Sequence, residues 1–162
     1  MEITSAHIKH ALLSYFRYKR GWLCASEFEC MDVVALPSGD IHEVEVKISK
    51  WDLWAGEAKK KKHRGGFQSW AWAPTRFSLA VPASLIPEAE KFVKETNSNY
   101  GIFKYCAFES GPGGWVEIHK TARRIGPKFA GDVSKRVMMR VCSENVGLHR
   151  RILGIDRLAA MA

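Results

Sequence analysis

The stretch Met31–Ser49, MDVVALPSGDIHEVEVKIS, decides how this chain is read. Asp32 to Leu36 is apolar and β-branched, Pro37-Ser38-Gly39-Asp40 carries turn chemistry, and Ile41 to Ile48 alternates. The pattern predicts two antiparallel strands around a short connection. Strand side chains point to opposite faces with period two, which puts His42, Val44, Val46 and Ile48 on one face and Glu43, Glu45 and Lys47 on the other. With the four turn residues as the loop, Leu36 pairs with Ile41 and Asp32 lies opposite Glu45. Lys47 follows about 7 Å further along the same face.

Two carboxylates facing each other across a ladder repel and destabilise it unless something offsets their charge. A divalent cation does so. The oxygen ligands of Asp32 and Glu45 suit Mg²⁺ or Mn²⁺, which keep several waters and leave room for a phosphate. Lys47 is placed to orient an attacking water or to offset charge on a phosphorane-like transition state. The three residues outline a site for phosphodiester hydrolysis, with Asp32 and Glu45 as metal ligands and Asp32, Glu45 and Lys47 as catalytic residues. Glu43 beside them reads as structural. Glu27 and Glu29 read as surface charges, next to a bulge or tight bend that the short Cys30-Met31 link requires.

Asp32, a turn, and then Glu45-Val46-Lys47 on the following strand resembles the D…ExK signature of the PD-(D/E)XK nuclease superfamily. A helix and a strand before Asp32, a helix after Lys47 and then the strand Phe77-Ser78-Leu79-Ala80-Val81-Pro82 are similar to its MmcB-like DNA-repair branch. The resemblance covers residues 5–125. It implies an α/β, restriction-endonuclease-like αβββαβ core with a mixed central sheet flanked by helices. It also implies Mg²⁺-dependent DNA cleavage in repair, recombination or mobile-element processing, and pairing of active sites in a homodimer.

The composition bears on the partner. At 162 residues the length fits one domain with a sizeable core, and 46% hydrophobic with 26% charged residues is ordinary for a soluble globular protein. A net charge of +8 favours a polyanion, either nucleic acid or an anionic membrane surface. No apolar run approaches the ~18 residues of a membrane span. The start, MEITSAHIKHALL, lacks the basic opening and apolar core of a secretory signal, so a cytoplasmic location is expected. Cys24, Cys30, Cys106 and Cys142 form no CxxC pair and read as small buried thiols.

Thr4 or Ser5 caps a first helix to about Lys19, with Ile8, Leu12, Leu13, Tyr15 and Phe16 as its apolar stripe and Gly21 ending it. Ser49 caps a second helix, expected to run through about Lys62. Lys59, Lys60, Lys61, Lys62, His63 and Arg64 form the densest charge run, which reads equally as a solvated face and as a grip on a phosphate backbone. Gln68 follows near the candidate site, and Trp70 and Trp72 either cover the sheet or stack on unpaired bases. Arg76–Val81 predicts a central strand, Pro87 opens a helix to about Thr96, and Tyr100–Phe108 with Trp115–His119 predict a strand pair.

From Lys120 to Arg151 nine Lys or Arg, among them Arg123, Arg124, Lys135, Arg136 and Arg140, stand against Asp132 and Glu144. Val133–Leu153 has helical spacing with Val137, Val141 and Leu148 apolar. A basic amphipathic helix of this kind lies on DNA, on a membrane surface or against another subunit. Beside a nuclease-like core the DNA-facing reading leads. Residues 1–125 are taken as the nuclease-like domain and 126–162 as a basic helical extension packed on it, with a hinge at Gly126-Pro127. No GxxxxGK[ST] loop or GxGxxG turn supports a nucleotide cofactor. The competing readings are a non-catalytic DNA- or RNA-binding protein with a nuclease-like fold, and a membrane-surface adaptor.

Overall fold

A computed structural model describes residues 2–38, 40–57, 60, 63, 73–111, 113–127 and 132–153, with the side chains of 146 and 149–153 outside the description. His7 Nδ1 lies 3.2 Å from the Thr4 backbone N–H, which donates to it at the start of the first helix, α1 (Ser5–Ser14). The helix widens into a π turn, Tyr15–Lys19, and Gly21 follows at φ +67, a conformation open to a residue without Cβ. Ile8, Leu12 and Phe16 are fully buried, as their spacing predicts.

The next two strands, β1 (Leu23–Phe28) and β2 (Met31–Leu36), form a hairpin in which Phe28 pairs with Met31. Only Glu29 and Cys30 remain for the turn. Glu29 takes φ 56 and Glu27 φ 50, left-handed values that cost a side-chain-bearing residue about 1–2 kcal/mol. Strand β3 (His42–Val46) pairs antiparallel with β2, Val33 to Val44, Val34 to Glu43 and Ala35 to His42. One step further along this register, Asp32 faces Glu45.

Strands β4 (Arg76–Pro82) and β5 (Gly101–Ala107) then add in parallel, and β6 (Gly114–Lys120) closes the sheet antiparallel to β5. The result is an α/β fold around a six-stranded mixed sheet in the order β1-β2-β3-β4-β5-β6. Helix α2 (Ile86–Thr96) has Pro87 in its first turn, where a missing N–H costs nothing. Between β3 and β4 the expected helix to Lys62 is, within the described residues, a π-helical segment, Asp52–Glu57.

Each face of the sheet has its own cover. On the first, α1 buries Ile8, Leu12 and Phe16 against Val33, Ala35, Val44, Val46, Ala80 and Phe103. On the second, the π-helical segment and α2 cover Phe77, Leu79, Val81 and Ile102. Helix α3 (Ser134–Leu153) and Val133 just before it cover Ala25, Phe28 and Val34, with Val137 buried and Val141 alongside. The cysteine expectation is corrected: Cys24 is buried, but Cys30 and Cys142 are exposed. Among the described residues no helix is long and apolar enough to cross a membrane.

Candidate active site on the central strand

Glu43, Glu45 and Lys47 occupy the second face of β3, between the two apolar clusters covered by α2 and by α3. The register makes this explicit: Glu43 has Val34 on one side and Phe77 on the other, and Glu45 has Leu79 beside it on β4. The alternation predicted that the three share one face, and that face is buried. Glu43, Glu45 and Lys47 are 0%, 2% and 6% exposed. Charges this deep persist only when paired, since an isolated buried ion carries a desolvation cost of several kcal/mol.

The pairing comes from the chain between β3 and β4. Lys47 Nζ lies 3.3 Å from Glu45 Oε2, 3.1 Å from Glu57 Oε2 and 3.8 Å from Asp52 Oδ1. Lys60 Nζ reaches the same two glutamates, at 2.9 Å and 2.7 Å. His63 links to Glu57 through Nε2 at 2.7 Å and to the Tyr100 hydroxyl through Nδ1 at 2.9 Å. Burial alone would lower the Lys47 pKa, but the charges of Glu57 and Glu45 outweigh it and raise it above the ordinary value.

Asp32 stands at the start of β2. Its Oδ2 accepts the Val46 N–H at 2.9 Å and its Oδ1 pairs with Lys9 Nζ of α1 at 2.9 Å, the lysine that also holds Glu27. Burial pushes the Asp32 carboxyl up, but the Lys9 contact, the Val46 N–H and the Lys47 charge together hold it below the usual carboxylate range. The Lys47 contribution brings all three predicted catalytic residues into one electrostatic neighbourhood. Asp32 and Glu45 are charge-balanced by lysines, Lys9 for the first and Lys47 with Lys60 for the second. Among the described residues no group of three or more His, Cys, Asp or Glu side chains converges to hold a metal.

Of the expected nucleic-acid contacts, Lys59, Lys61, Lys62, Arg64 and Gln68 lie outside the described residues, as do Trp70 and Trp72. Lys60 is turned inward to Glu45 and Glu57, and the His63 side chain is 2% exposed, so neither is a freely solvated phosphate contact. Arg123 and Arg124 follow β6 at the opposite end of the sheet, where Arg124 pairs with Asp40 at 2.5 Å. On α3, Arg136 pairs with Glu29, and Arg140 holds the Ser26 carbonyl at 3.2 Å and Glu144 at 3.3 Å. These arginines fasten the helix to β1, while Lys135 is exposed.

Two members of the site were not found from the sequence. Glu57 is fully buried and joins Lys47, Lys60 and His63, and its only sequence signal is its place four residues after the buried Leu53. Lys9 follows Ile8 on α1, outside the apolar stripe of that helix, and nothing in its local sequence marks a partner on β2. No family model matches the chain, no curated protein is similar to it and no solved structure matches its fold, so the reading of this site rests on its own residues.

Proposed function

We propose that this protein is a metal-dependent nuclease of the PD-(D/E)XK kind, hydrolysing phosphodiester bonds in DNA. One observation carries the reading: the pairing of β2 with β3 sets Asp32 across from Glu45 with Lys47 two residues on, 3.3 Å from Glu45 and close enough to lower the Asp32 pKa. The element order supports it, since one helix, three antiparallel strands, a helical segment and a parallel strand follow one another as in the restriction-endonuclease-like αβββαβ core.

The donor set fits Mg²⁺ or Mn²⁺, because Asp32 and Glu45 offer hard carboxylate oxygens and a Lys60 ammonium that is 38% exposed can swing away from Glu45. When bound, such an ion supplies Lewis-acid polarisation of the phosphate and lowers the pKa of an attacking water. Lys47, kept charged by Glu57 and Glu45, holds a fixed positive group where negative charge develops on phosphorus. Glu57 positions Lys47, and His63 with Tyr100 anchors Glu57. With a net charge of +8 the surface attracts the polyanionic substrate without sequence preference.

A second reading is a non-catalytic nucleic-acid-binding protein. It is favoured by Glu45, which is 2% exposed and paired with both Lys47 and Lys60. Cleavage of supercoiled, linear, single-stranded and branched DNA with Mg²⁺, Mn²⁺ or EDTA decides between them. Under the nuclease reading Asp32→Asn and Glu45→Gln keep DNA binding and a native circular dichroism spectrum, and each lowers metal-dependent cutting by about a hundredfold or more. Binding without cutting in any metal supports the second reading.

A further inference from the structure

At the other end of β3, about 17 Å of strand from Lys47 and on the α1 face, lies a cavity of ≈ 270 Å³. Its wall is aromatic, with Tyr15, Phe16, Trp22 and Phe103. Phe16 and Trp22 stack at 5.8 Å with 16° between their planes, and the Arg20 guanidinium lies 4.6 Å over the Trp22 ring. Asp40 is the only acid among the described residues that line the cavity, and it is neutralised by Arg76 at 3.1 Å and Arg124 at 2.5 Å. Arg20, by contrast, forms no ion pair among the described residues. The rim is therefore cationic.

His42 lines the same cavity and is 6% exposed. Its Nε2 bonds to Ser78 Oγ at 2.9 Å, and its Nδ1 has no hydrogen-bond partner among the described residues. Burial, with the nearby Arg76 charge, pushes the His42 pKa down to about 3, so the ring is neutral at physiological pH. A neutral imidazole on the cavity wall, its Nε2 engaged by Ser78, keeps Nδ1 to offer a polar ligand group there.

We propose that this cavity binds one nucleotide unit, its base against the part-exposed rings of Tyr15 and Trp22 and the His42 edge and its phosphate at Arg20. Aromatic faces stack on any base, and a guanidinium is the side chain best matched to a phosphate. The volume takes a single unit and excludes a duplex, which distinguishes the site from the carboxylate cluster and makes it independent of the nuclease reading. The unit arrives either as a free nucleoside monophosphate or as the 5′-terminal nucleotide of a strand.

Calorimetric titration of the full chain tests this with AMP, adenosine, and a short single strand bearing either a 5′-phosphate or a 5′-hydroxyl. AMP is expected to bind one to one. Arg20→Ala, at an exposed position, weakens AMP by about tenfold or more and leaves adenosine unchanged, while Asp32→Asn binds AMP like the wild type. Binding of the 5′-phosphorylated strand alone, with the same Arg20 dependence, supports the site with a strand end as its ligand. No binding of either phosphate-bearing ligand, or affinity for both unaltered in Arg20→Ala, overturns the proposal.

Discussion

Replacing Lys47 by Met removes one ammonium from the buried charge cluster while keeping a long flexible side chain in its place. Lys47 Nζ stands 3.1 Å and 3.3 Å from the carboxylates of Glu57 and Glu45, which are 0% and 2% exposed. Removing one partner of a buried pair costs about 3–5 kcal/mol, because the charge left behind has no water to turn to. Lys60 still reaches both glutamates, at 2.7 Å and 2.9 Å, which sets the expectation at the low end, about 3 kcal/mol. At about 2–4 °C per kcal/mol, the melting temperature falls by about 6–12 °C. Urea unfolding followed by circular dichroism measures the loss directly. The double variant Lys47→Met/Glu57→Gln removes the orphaned charge as well and should recover more than half of it. A loss below about 1 kcal/mol, the range of exposed pairs, with no recovery in the double variant would refute the buried network. The pH dependence has a defined sign. The folded Lys47 pKa is raised above 10.5, so its contribution is complete at neutral pH and is lost only as pH rises through the folded value.

Three further outcomes follow from other parts of the molecule. His42 refuses a proton down to about pH 3, whereas in the unfolded chain it takes one up below about 6.5, so it removes up to about 1.4 kcal/mol of stability per pH unit across that window; His42→Gln should flatten the loss in urea titrations from pH 7 to pH 4. Gly101→Ala would put a Cβ 2.5 Å from Ser78 Oγ and 2.7 Å from the Ala122 nitrogen, and a thermal melt should register a loss of about 1–3 kcal/mol. In the native state a thiol-specific reagent should modify Cys30 and Cys142 fast and Cys24 only on unfolding, as read by mass spectrometry of digested protein.

The β2–β3 pairing was legible because two independent signals agree on it: four turn residues fix the loop, and the alternation after Ile41 fixes the facing. The burial of that charged face was not legible. Charges alternating with apolar residues usually mark a solvated side of a strand, and nothing local to β3 announces that Glu57, Lys60 and His63 fold over it. Glu57 was hidden for a related reason, since a π-helical winding shifts the phase from which helical spacing is read. On α3 the basic side chains were visible but their partners were not. Arg136 meets Glu29 and Arg140 meets the Ser26 carbonyl more than a hundred residues away in sequence, and such contacts follow only from docking of the helix on β1.

The order of the strands in the sheet is also the order of their synthesis, so each strand emerges beside the edge completed just before it. No strand has to be inserted between two that are already paired. After Val46 leaves the ribosome the growing edge is β3, with one row of main-chain donors and acceptors still open until β4 arrives some thirty residues later. An open edge invites pairing with a neighbouring nascent chain, and charged side chains are the usual deterrent. Glu43, Glu45 and Lys47 stand on that edge during the wait. The residues that later become the buried polar centre of the fold are thus the charges the half-built sheet carries beside its open edge.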